Sequence, residues 1–355
     1  MAEAAGTGAG AVLLVTGGCG FIGSNFVRWW LENVPGTRVV VYDKLTYAGR
    51  RENLAELWDR PDLHLMVGDI ADLARVRRTC LEERVTTLVN FAAESHVDQS
   101  IAAPLLFTDT NVRGTHALLE VARELGLRFH QVSTDEVYGD VPAGERRAEG
   151  DPLAPRSPYA ASKAAADHLA LAYHATYALA VTVTRGSNTV GPYQYPEKVL
   201  PLFATSVLRG EPLPLYGDGL QQRDYMHVRD HCAAIAAVLR SGQPGEVYNV
   251  GTGTELTNLD LACAVLDTLG GDRGLIRHVG DRPGHDRRYA VATGKVRALG
   301  WLCRFTPIQA VTEAARWYAE NGWWWRPIRE GDFREYYRRQ YAERLTQPGK
   351  PEGEP

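Results

Sequence analysis

Two carboxylates stand side by side at Asp135 and Glu136, directly after Thr134. A reaction that takes a proton from one atom and expels a hydroxyl from the next needs a base and an acid together. Two acids whose surroundings push their pKa values apart supply both. The run 129–133 just before them reads as a strand, so the pair falls at the C-terminal edge of a sheet, where open α/β folds bind ligands. On residue types alone, a turn of polar residues accounts for the triplet equally well. Downstream, Tyr159 and Lys163 are spaced i and i+4, on one face of a helix. An ammonium beside a phenol is expected to lower the phenol pKa from about 10 and make it a usable base. A lone Tyr-x-x-x-Lys arises often by chance, so its meaning depends on a redox cofactor site elsewhere in the chain.

The sequence offers such a site. Gly17, Gly20 and Gly23 follow the first apolar run and open an amphipathic stretch, with Phe21 and Ile22 between the last two. Glycines let the backbone turn tightly and approach a pyrophosphate, and the free N–H groups of the helix start then meet the anion. Asp43 closes the second apolar run about 20 residues on, where an acid takes the ribose hydroxyls. That acid favours NAD over NADP, because it would repel a 2′-phosphate. Lys44 follows directly and weakens the preference.

These residues need a scaffold. Apolar runs at 11–15, 39–42, 63–67, 87–91, 129–133, 181–184 and 246–250 read as strands. The segments 24–32, 72–83, 118–125, 157–177 and 227–239 read as helices. Strands alternating with helices predict an α/β fold, a Rossmann-type doubly wound parallel sheet. The NAD-binding domain is expected over 11–185, with 227–250 returning to it. After residue 185 prolines and glycines become dense. This predicts a smaller, loop-rich, mostly C-terminal substrate-binding lobe over 186–226 and 251–330. The tail 347–355 holds only polar residues, proline and glycine and is expected to be disordered.

Composition narrows the function classes. The chain has 355 residues with 45% hydrophobic residues and a net charge of −4, so no general basic field argues for nucleic acid or an anionic membrane. An anionic substrate would need local cations. Five cysteines without a CxxC pair suggest buried thiols rather than disulfides or zinc. The start, 1–10, lacks an apolar signal region, and no apolar run is long enough for a membrane span, so a cytoplasmic protein is expected.

Taken as an ordered set, the motifs are recognisable. TGGCGFIGSNF, YDKLTYAG, GDI, FAAESHVD, TNVRGT, STDEVYGD, SPYAASKAAADHL, GPYQYPEKVLPLF, LYGDG, RDYMHVRDHC, YNVG and DRPGHDRRYA span about residues 11–322. In these the chain resembles the dTDP-glucose 4,6-dehydratases, extended short-chain dehydrogenase/reductase enzymes. The resemblance implies NAD as cofactor, with Asp69, Ile70, Ala92 and Thr110 joining the glycine loop, Asp43, Lys44, Tyr159 and Lys163 in holding it. It implies that Tyr159 takes the sugar 4-hydroxyl proton, that Thr134 hydrogen-bonds that oxygen, that Glu136 removes the C5 proton and that Asp135 protonates the departing 6-hydroxyl. Ser95 and Asn188 are implied for the sugar; Lys198, Arg223, Asn258 and Arg282 are implied for the diphosphate, which calls for charge-assisted donors. A homodimer through helices near 105–125 and 158–177 is also implied.

The chain departs from the family pattern at Gln99, where arginine is usual, at Thr189 and Val190, and at Gln221-Gln222. These positions fall where the sugar nucleotide should lie, so another base or sugar stays open. Epimerases and decarboxylases of the same fold lack the adjacent acid pair. A non-catalytic NAD-binding protein is disfavoured by the intact Tyr159, Lys163, Asp135 and Glu136. His227 and His231 are spaced for a metal but lack a third ligand, so helix packing is expected and no metal. Trp323, Trp324 and Trp325 read as a packing patch. Arg223 and Asp224 are as compatible with a structural ion pair as with phosphate binding, and whether 144–151 is a mobile loop is left open.

Overall fold

A computed structural model describes residue 8 and residues 10–346. The stretch 1–10, apart from residues 8 and 10, and the tail 347–355, on which the signal and disorder expectations fell, lie outside the described residues. Seven strands form one parallel sheet: β1 (Val12–Thr16), β2 (Arg38–Asp43), β3 (Leu63–Val67), β4 (Thr87–Asn90), β5 (Arg128–Thr134), β6 (Val181–Gly186) and β7 (Glu246–Val250). Their spatial order is β7-β6-β5-β4-β1-β2-β3. The central strands β1, β4, β5 and β6 are buried throughout, as a sheet covered by helices on both faces requires. One face is covered by a core around Leu14, Val40, Leu88, Leu118 and Phe129, the other by Leu13, Val41, Phe26, Trp30 and Ile235.

The chain runs outward from β1 through β2 to β3, then crosses back to β4 on the other side of β1. The strand order therefore reverses between β1 and β4, whose last residues Thr16 and Asn90 are in register. A crevice opens at such a switch point beyond the carboxyl ends of the strands. The helix Phe21–Asn33 starts at its mouth. The helix Pro158–Tyr177 carries Pro158 in its first turn, where a missing N–H costs nothing, and Ser157 accepts from the Ala160 amide to cap it. The expected helix over 118–125 begins at Thr115 and is preceded by a wider, π-type turn at Thr108–Gly114.

The second lobe is richer in helix than its proline and glycine content predicted. Helices Val199–Val207, Asn258–Leu269, Pro307–Glu320, Gly322–Glu330 and Asp332–Thr346 pack around Leu202, Phe203, Leu261, Val265, Val311, Tyr318, Trp324 and Trp325. Each fully buried side chain of this size contributes roughly 1.5–3 kcal/mol, which accounts for helices whose prolines sit only at their ends or in short segments. The helices Asn258–Leu269 and Pro307–Glu320 each start in a reciprocal cap, Thr257 with Asp260 and Thr306 with Gln309. The tryptophan patch is mostly core: Trp324 and Trp325 are buried, while Trp323 is 57% exposed. Trp324 Nε1 donates to Asn53 Oδ1 at 2.8 Å and Asn53 Nδ2 donates to the Cys19 carbonyl, so the lobe is tied to the glycine loop. Among the described residues no helix is long and apolar enough to cross a membrane.

The stretch 144–151 is tied down. Arg147 pairs with Val291 as an isolated bridge, Arg288 donates to the carbonyls of Pro142 and Glu145, and Arg185 donates to that of Glu149. Cys19, Cys80 and Cys232 are buried, and Cys263 and Cys303 are half-buried.

Candidate active site

The crevice at the switch point is lined by Gly17, Gly20, Phe21, Ile22, Gly23, Asp43, Lys44, Asp69, Ile70, Ala92, Thr110, Tyr159 and Lys163, the whole set expected to hold the cofactor. Gly17 has φ +66°, and a Cβ there would lie 2.7 Å from the Ala92 amide nitrogen; one at Gly23 would lie 2.2 Å from the Gly17 carbonyl oxygen. Only glycine closes this loop against β4. Gly20, at the helix start, has no side chain to cap the first turn, so the N–H groups there face the crevice for an anion. Asp43 is held at the end of β2 by the amides of Cys19 (2.9 Å) and Leu45 (2.8 Å), and burial raises its pKa against those bonds. Lys44 is committed to Asp69 at 2.7 Å, so its charge does not neutralise Asp43. The Ser133 hydroxyl also lines the crevice and is buried without a protein partner. A glycine cradle at a helix start, an acid at the end of β2 and an unpartnered buried hydroxyl fit a dinucleotide.

A second cavity is lined by Asn188, Lys198, Arg223, Asn258 and Arg282, five of the six residues expected to hold the sugar nucleotide, together with Glu136. Ser95, the sixth, lines the cofactor crevice and accepts from Lys198 Nζ through its carbonyl at 2.5 Å. Gln194, Glu197 and Lys198 line both cavities, so the two share a wall. Three cations line the second cavity, Arg223 buried and Lys198 and Arg282 half-buried. Burial lowers the Lys198 pKa, against the pull of Glu197 and Glu136. Arg282 faces Asp98 at 3.5 Å. Arg223 does not pair with Asp224: its guanidinium donates to the carbonyls of Gln222, Asp286 and Arg287 and lies 4.1 Å over the Tyr289 ring. Asp224 instead accepts from Thr252 and the Gly253 amide. Asn258 accepts from Tyr225 at 2.6 Å, and the buried Asn188 Oδ1 has no protein partner.

The acid pair lies in a turn, Asp135–Tyr138, that leaves the end of β5. Thr134 caps it by accepting from the Glu136 amide at 3.2 Å, and its hydroxyl also meets Asp135 Oδ1 at 3.4 Å. Burial pushes Asp135 well above the usual carboxylate range, with further upward pressure from Glu136 and Asp224. Burial also raises Glu136, but Arg282, Lys198 and Arg223 oppose it. The two neighbours therefore differ in surroundings: Asp135 is disposed to keep its proton, while Glu136 is the one surrounded by cations.

Tyr159 departs from the sequence expectation. Burial, with the charge of Glu136, raises its pKa; the Thr134 hydrogen bond opposes, and Lys163 has no resolved part in it. Lys163 Nζ donates to the Val132 carbonyl at 2.8 Å, and burial lowers its own pKa to about 8 while Asp167 pulls it up. The i, i+4 spacing places both groups on the cofactor crevice, yet the low dielectric outweighs the expected ammonium effect in the ligand-free protein. Asp167, one turn further, pairs with Arg185 at 2.9 Å, and Arg185 donates to the Tyr138 hydroxyl at 2.7 Å. This buried network joins the Tyr159 helix to the turn that carries the acids.

Several lining residues escaped sequence reasoning. Glu197 accepts from Tyr47 (2.9 Å) and Gln99 (3.1 Å), and nothing in its spacing marks it apart from its place before Lys198. Asp98, Tyr216, His285 and Tyr341 also line the second cavity. Of the departures, Thr189 and Val190 line that cavity, Gln99 holds Glu197, and Gln221 donates to Asp281 beside Arg282 at 2.9 Å. His231 Nδ1 meets Thr189 Oγ1 at 2.8 Å, and His227 accepts from the Arg229 amide and stacks on Phe305. Among the described residues no group of three or more potential ligands could hold a metal ion.

The site is thus that of an α/β enzyme of the extended short-chain dehydrogenase/reductase class, with a crevice that fits a dinucleotide, a second cavity lined by cations and Glu136, and Asp135 buried next to Glu136 in the chain. Residues 14–313 match the family model described as GDP-mannose 4,6 dehydratase. A dTDP-glucose 4,6-dehydratase of Streptomyces niveus is 48% identical over 326 residues, covering 90% of this chain and 96% of that protein. DesIV of Streptomyces venezuelae, a dTDP-glucose 4,6-dehydratase solved with NAD bound, superposes with a TM-score of 0.86 at 50% identity, covering 89% of this chain and 99% of DesIV. A Thermus thermophilus UDP-glucose 4-epimerase solved with NAD has a TM-score of 0.81 at 34% identity, covering 87% and 99%. The chain belongs to the dTDP-glucose 4,6-dehydratase family.

Proposed function

We propose that this protein is an NAD-dependent hydro-lyase that converts a nucleoside-diphospho-hexose, dTDP-glucose in the first instance, into its 4-keto-6-deoxy form with loss of water. The observation that carries the reading is the acid pair at the end of β5: Asp135 is buried and disposed to hold a proton, and Glu136, half-buried, lines the second cavity and is ringed by cations. NAD, when bound, supplies a hydride acceptor and later returns that hydride, so the conversion is redox-neutral. The glycine loop, Asp43, Asp69, Ile70, Ala92, Thr110 and Lys163 hold it. Tyr159 takes the proton of the sugar 4-hydroxyl and Thr134 hydrogen-bonds the same oxygen. Glu136 removes the C5 proton, made acidic by the 4-ketone, while Asp135 gives its proton to the departing 6-hydroxyl, releasing water. Lys198, Arg223, Arg282 and Asn258 take the diphosphate, and Ser95 and Asn188 take sugar hydroxyls. An epimerase needs no such acid for a leaving hydroxyl, which is the observation against that reading.

Residues 11–185 with 227–250 serve as the NAD-binding domain, and 186–226 with 251–330 as the sugar-nucleotide lobe. Ile101, Leu105 and Leu106 are exposed on a helical face next to the Tyr159 helix, and this supports a homodimer through that face. The protein is read as cytoplasmic. The test incubates the purified protein with dTDP-glucose, UDP-glucose and GDP-mannose in parallel and measures product mass. Loss of one water from dTDP-glucose without net build-up of NADH is the expected result. Loss from another nucleotide sugar alone moves the substrate to that sugar, with Gln99, Thr189 and Gln221 as the cause; no loss from any refutes the reading.

A further inference from the structure

The glycine loop is fixed from outside as well as by its own turns. Cys19 stands between Gly18 and Gly20, which have no side chains to restrain the backbone, so it keeps its place through the groups it bonds. Its N–H donates to Asp43 Oδ2 at 2.9 Å, and its carbonyl accepts from the Arg50 amide at 3.0 Å and from Asn53 Nδ2 at 2.8 Å. Asn53 is fully buried, and its Oδ1 accepts from Trp324 Nε1 at 2.8 Å. An indole nitrogen donates and does not accept, so Trp324 sets the amide one way round: Oδ1 toward the tryptophan, Nδ2 toward the Cys19 carbonyl.

Trp324 is itself firmly seated. It is buried, and its ring meets those of Trp317, Tyr193 and Tyr318 at centroid distances of 5.5, 5.8 and 6.4 Å. Tyr193 holds a left-handed backbone, φ +67°, and the guanidinium of Arg28 lies 4.8 Å from its ring centroid. Arg28 donates in turn to the Asn53 carbonyl at 2.8 Å. The corner between the helices Pro307–Glu320 and Gly322–Glu330 therefore holds Asn53 by two routes, through its side chain from Trp324 and through its backbone by way of Tyr193 and Arg28.

We propose that this corner of the second lobe is a clamp on the cofactor: Trp324 is a positioning residue that acts through Asn53 on the Cys19 backbone and so slows the release of NAD. The inference rests on the NAD-dependent reading above. Loss of the cofactor between the two hydride transfers would strand the sugar as its ketone, so a redox-neutral conversion gains from a loop that is held shut by the lobe that receives the substrate. A tryptophan that only filled the lobe core would leave NAD release unchanged so long as the protein stayed folded.

The test compares the wild type with Trp324→Phe, which keeps a ring and removes the N–H, with Asn53→Ala, and with the double variant. It measures exchange of bound NAD for isotope-labelled NAD in solution, with dTDP affinity by calorimetry as the check on the second lobe. Trp324→Phe is expected to speed NAD exchange roughly fivefold, the size of one neutral hydrogen bond, with dTDP affinity unchanged. Asn53→Ala should speed it further, and the double variant should match Asn53→Ala, because the two residues act in series. During turnover without added NAD, Trp324→Phe should lose activity faster than the wild type and regain it when NAD is supplied. Unchanged NAD exchange in Trp324→Phe overturns the inference, as do effects of the two substitutions that simply add, or a loss of dTDP affinity equal to that of NAD. If the variants fail to fold, hydrogen exchange over 321–330 of the wild type decides, since what the lobe does for NAD the cofactor must do for the lobe: slowing on addition of NAD supports the clamp and no change overturns it. A wild type that holds NAD but dehydrates no nucleotide sugar removes the reading beneath; one that dehydrates dTDP-glucose while Trp324→Phe keeps NAD as the wild type does removes the clamp alone.

Discussion

Replacing Asp135 by asparagine separates catalysis from folding more sharply than any other single change in this site. The carboxyl is 2% exposed, its Oδ2 has no protein partner, and burial with the charges of Glu136 and Asp224 raises its pKa well above the ordinary range. The fold thus favours its protonated form, which asparagine matches in size and charge. A general acid contributes about 10²- to 10⁴-fold, so kcat should fall by that factor, about 3–5 kcal/mol of barrier. Stability should move the other way. In the unfolded chain this aspartate ionises near pH 4, so its raised pKa in the fold costs stability at neutral pH; asparagine removes that cost, and the Tm at pH 7 should equal or exceed that of the wild type. The C4 oxidation does not use Asp135. Mixing the variant with dTDP-glucose should therefore build up the near-ultraviolet absorbance of reduced nicotinamide, and C5 hydrogen should still exchange with solvent through Glu136. Turnover within tenfold of the wild type would refute the assignment. So would a variant that binds cofactor and dTDP yet shows neither NADH nor C5 exchange, because the acid would then act before the elimination.

Other perturbations follow from the same geometry. Gly23→Ala drives a methyl to within 2.2 Å of the Gly17 carbonyl, so NAD affinity should drop at least about tenfold in a titration while the sheet core persists. Arg185→Met leaves Asp167 buried and unpaired; denaturant unfolding should show a loss of roughly 3–5 kcal/mol, whereas an unchanged midpoint would mean the pair carries nothing. Burial lowers His231 to about 4 and His130 to about 3, against about 6.5 unfolded. The unfolded chain then takes up protons first as the pH falls. Their contribution is complete above pH 6.5 and is lost as pH drops through 4 and then 3, on the order of 3 kcal/mol for His231. His231→Asn should give a shallower loss of Tm between pH 6.5 and 4; an identical slope would remove the histidine from the explanation. The alkaline limb of kcat should report the loss of the Asp135 proton and vanish in Asp135→Asn as far as residual activity permits its measurement.

The strands and helices of the dinucleotide half were legible because each obeys a short-range rule. Buried parallel strands read as β-branched runs, and the start of the helix Phe21–Asn33 reads from glycines that only a tight turn requires. The second lobe looks loop-rich in sequence because its prolines and glycines are dense, while the caps that open its helices are two short residue pairs. Thr257 with Asp260 and Thr306 with Gln309 were the available signals, and each opens a helix of the lobe core. The chemistry of the candidate site was likewise local: Asp135 beside Glu136 and Tyr159 one turn from Lys163 are pairs that the chain itself brings together.

What the sequence determined alone, then, is which groups are available and which near neighbours they keep, since spacing along a strand or helix fixes faces without reference to the rest of the molecule. Electrostatic character was left to the tertiary structure. Lys163 was expected to make Tyr159 more acidic, but closing the site removed water from both, and desolvation raised the phenol and lowered the ammonium to about 8. The same burial separates Asp135 from Glu136, because the cations that oppose it come from Lys198, Arg223 and Arg282, distant in sequence and gathered only when the second lobe packs on the sheet. Tyr341 is the extreme case: nothing around it in sequence marks a ligand site, and it reaches the cavity only because its helix docks beside Tyr216 and Asp98.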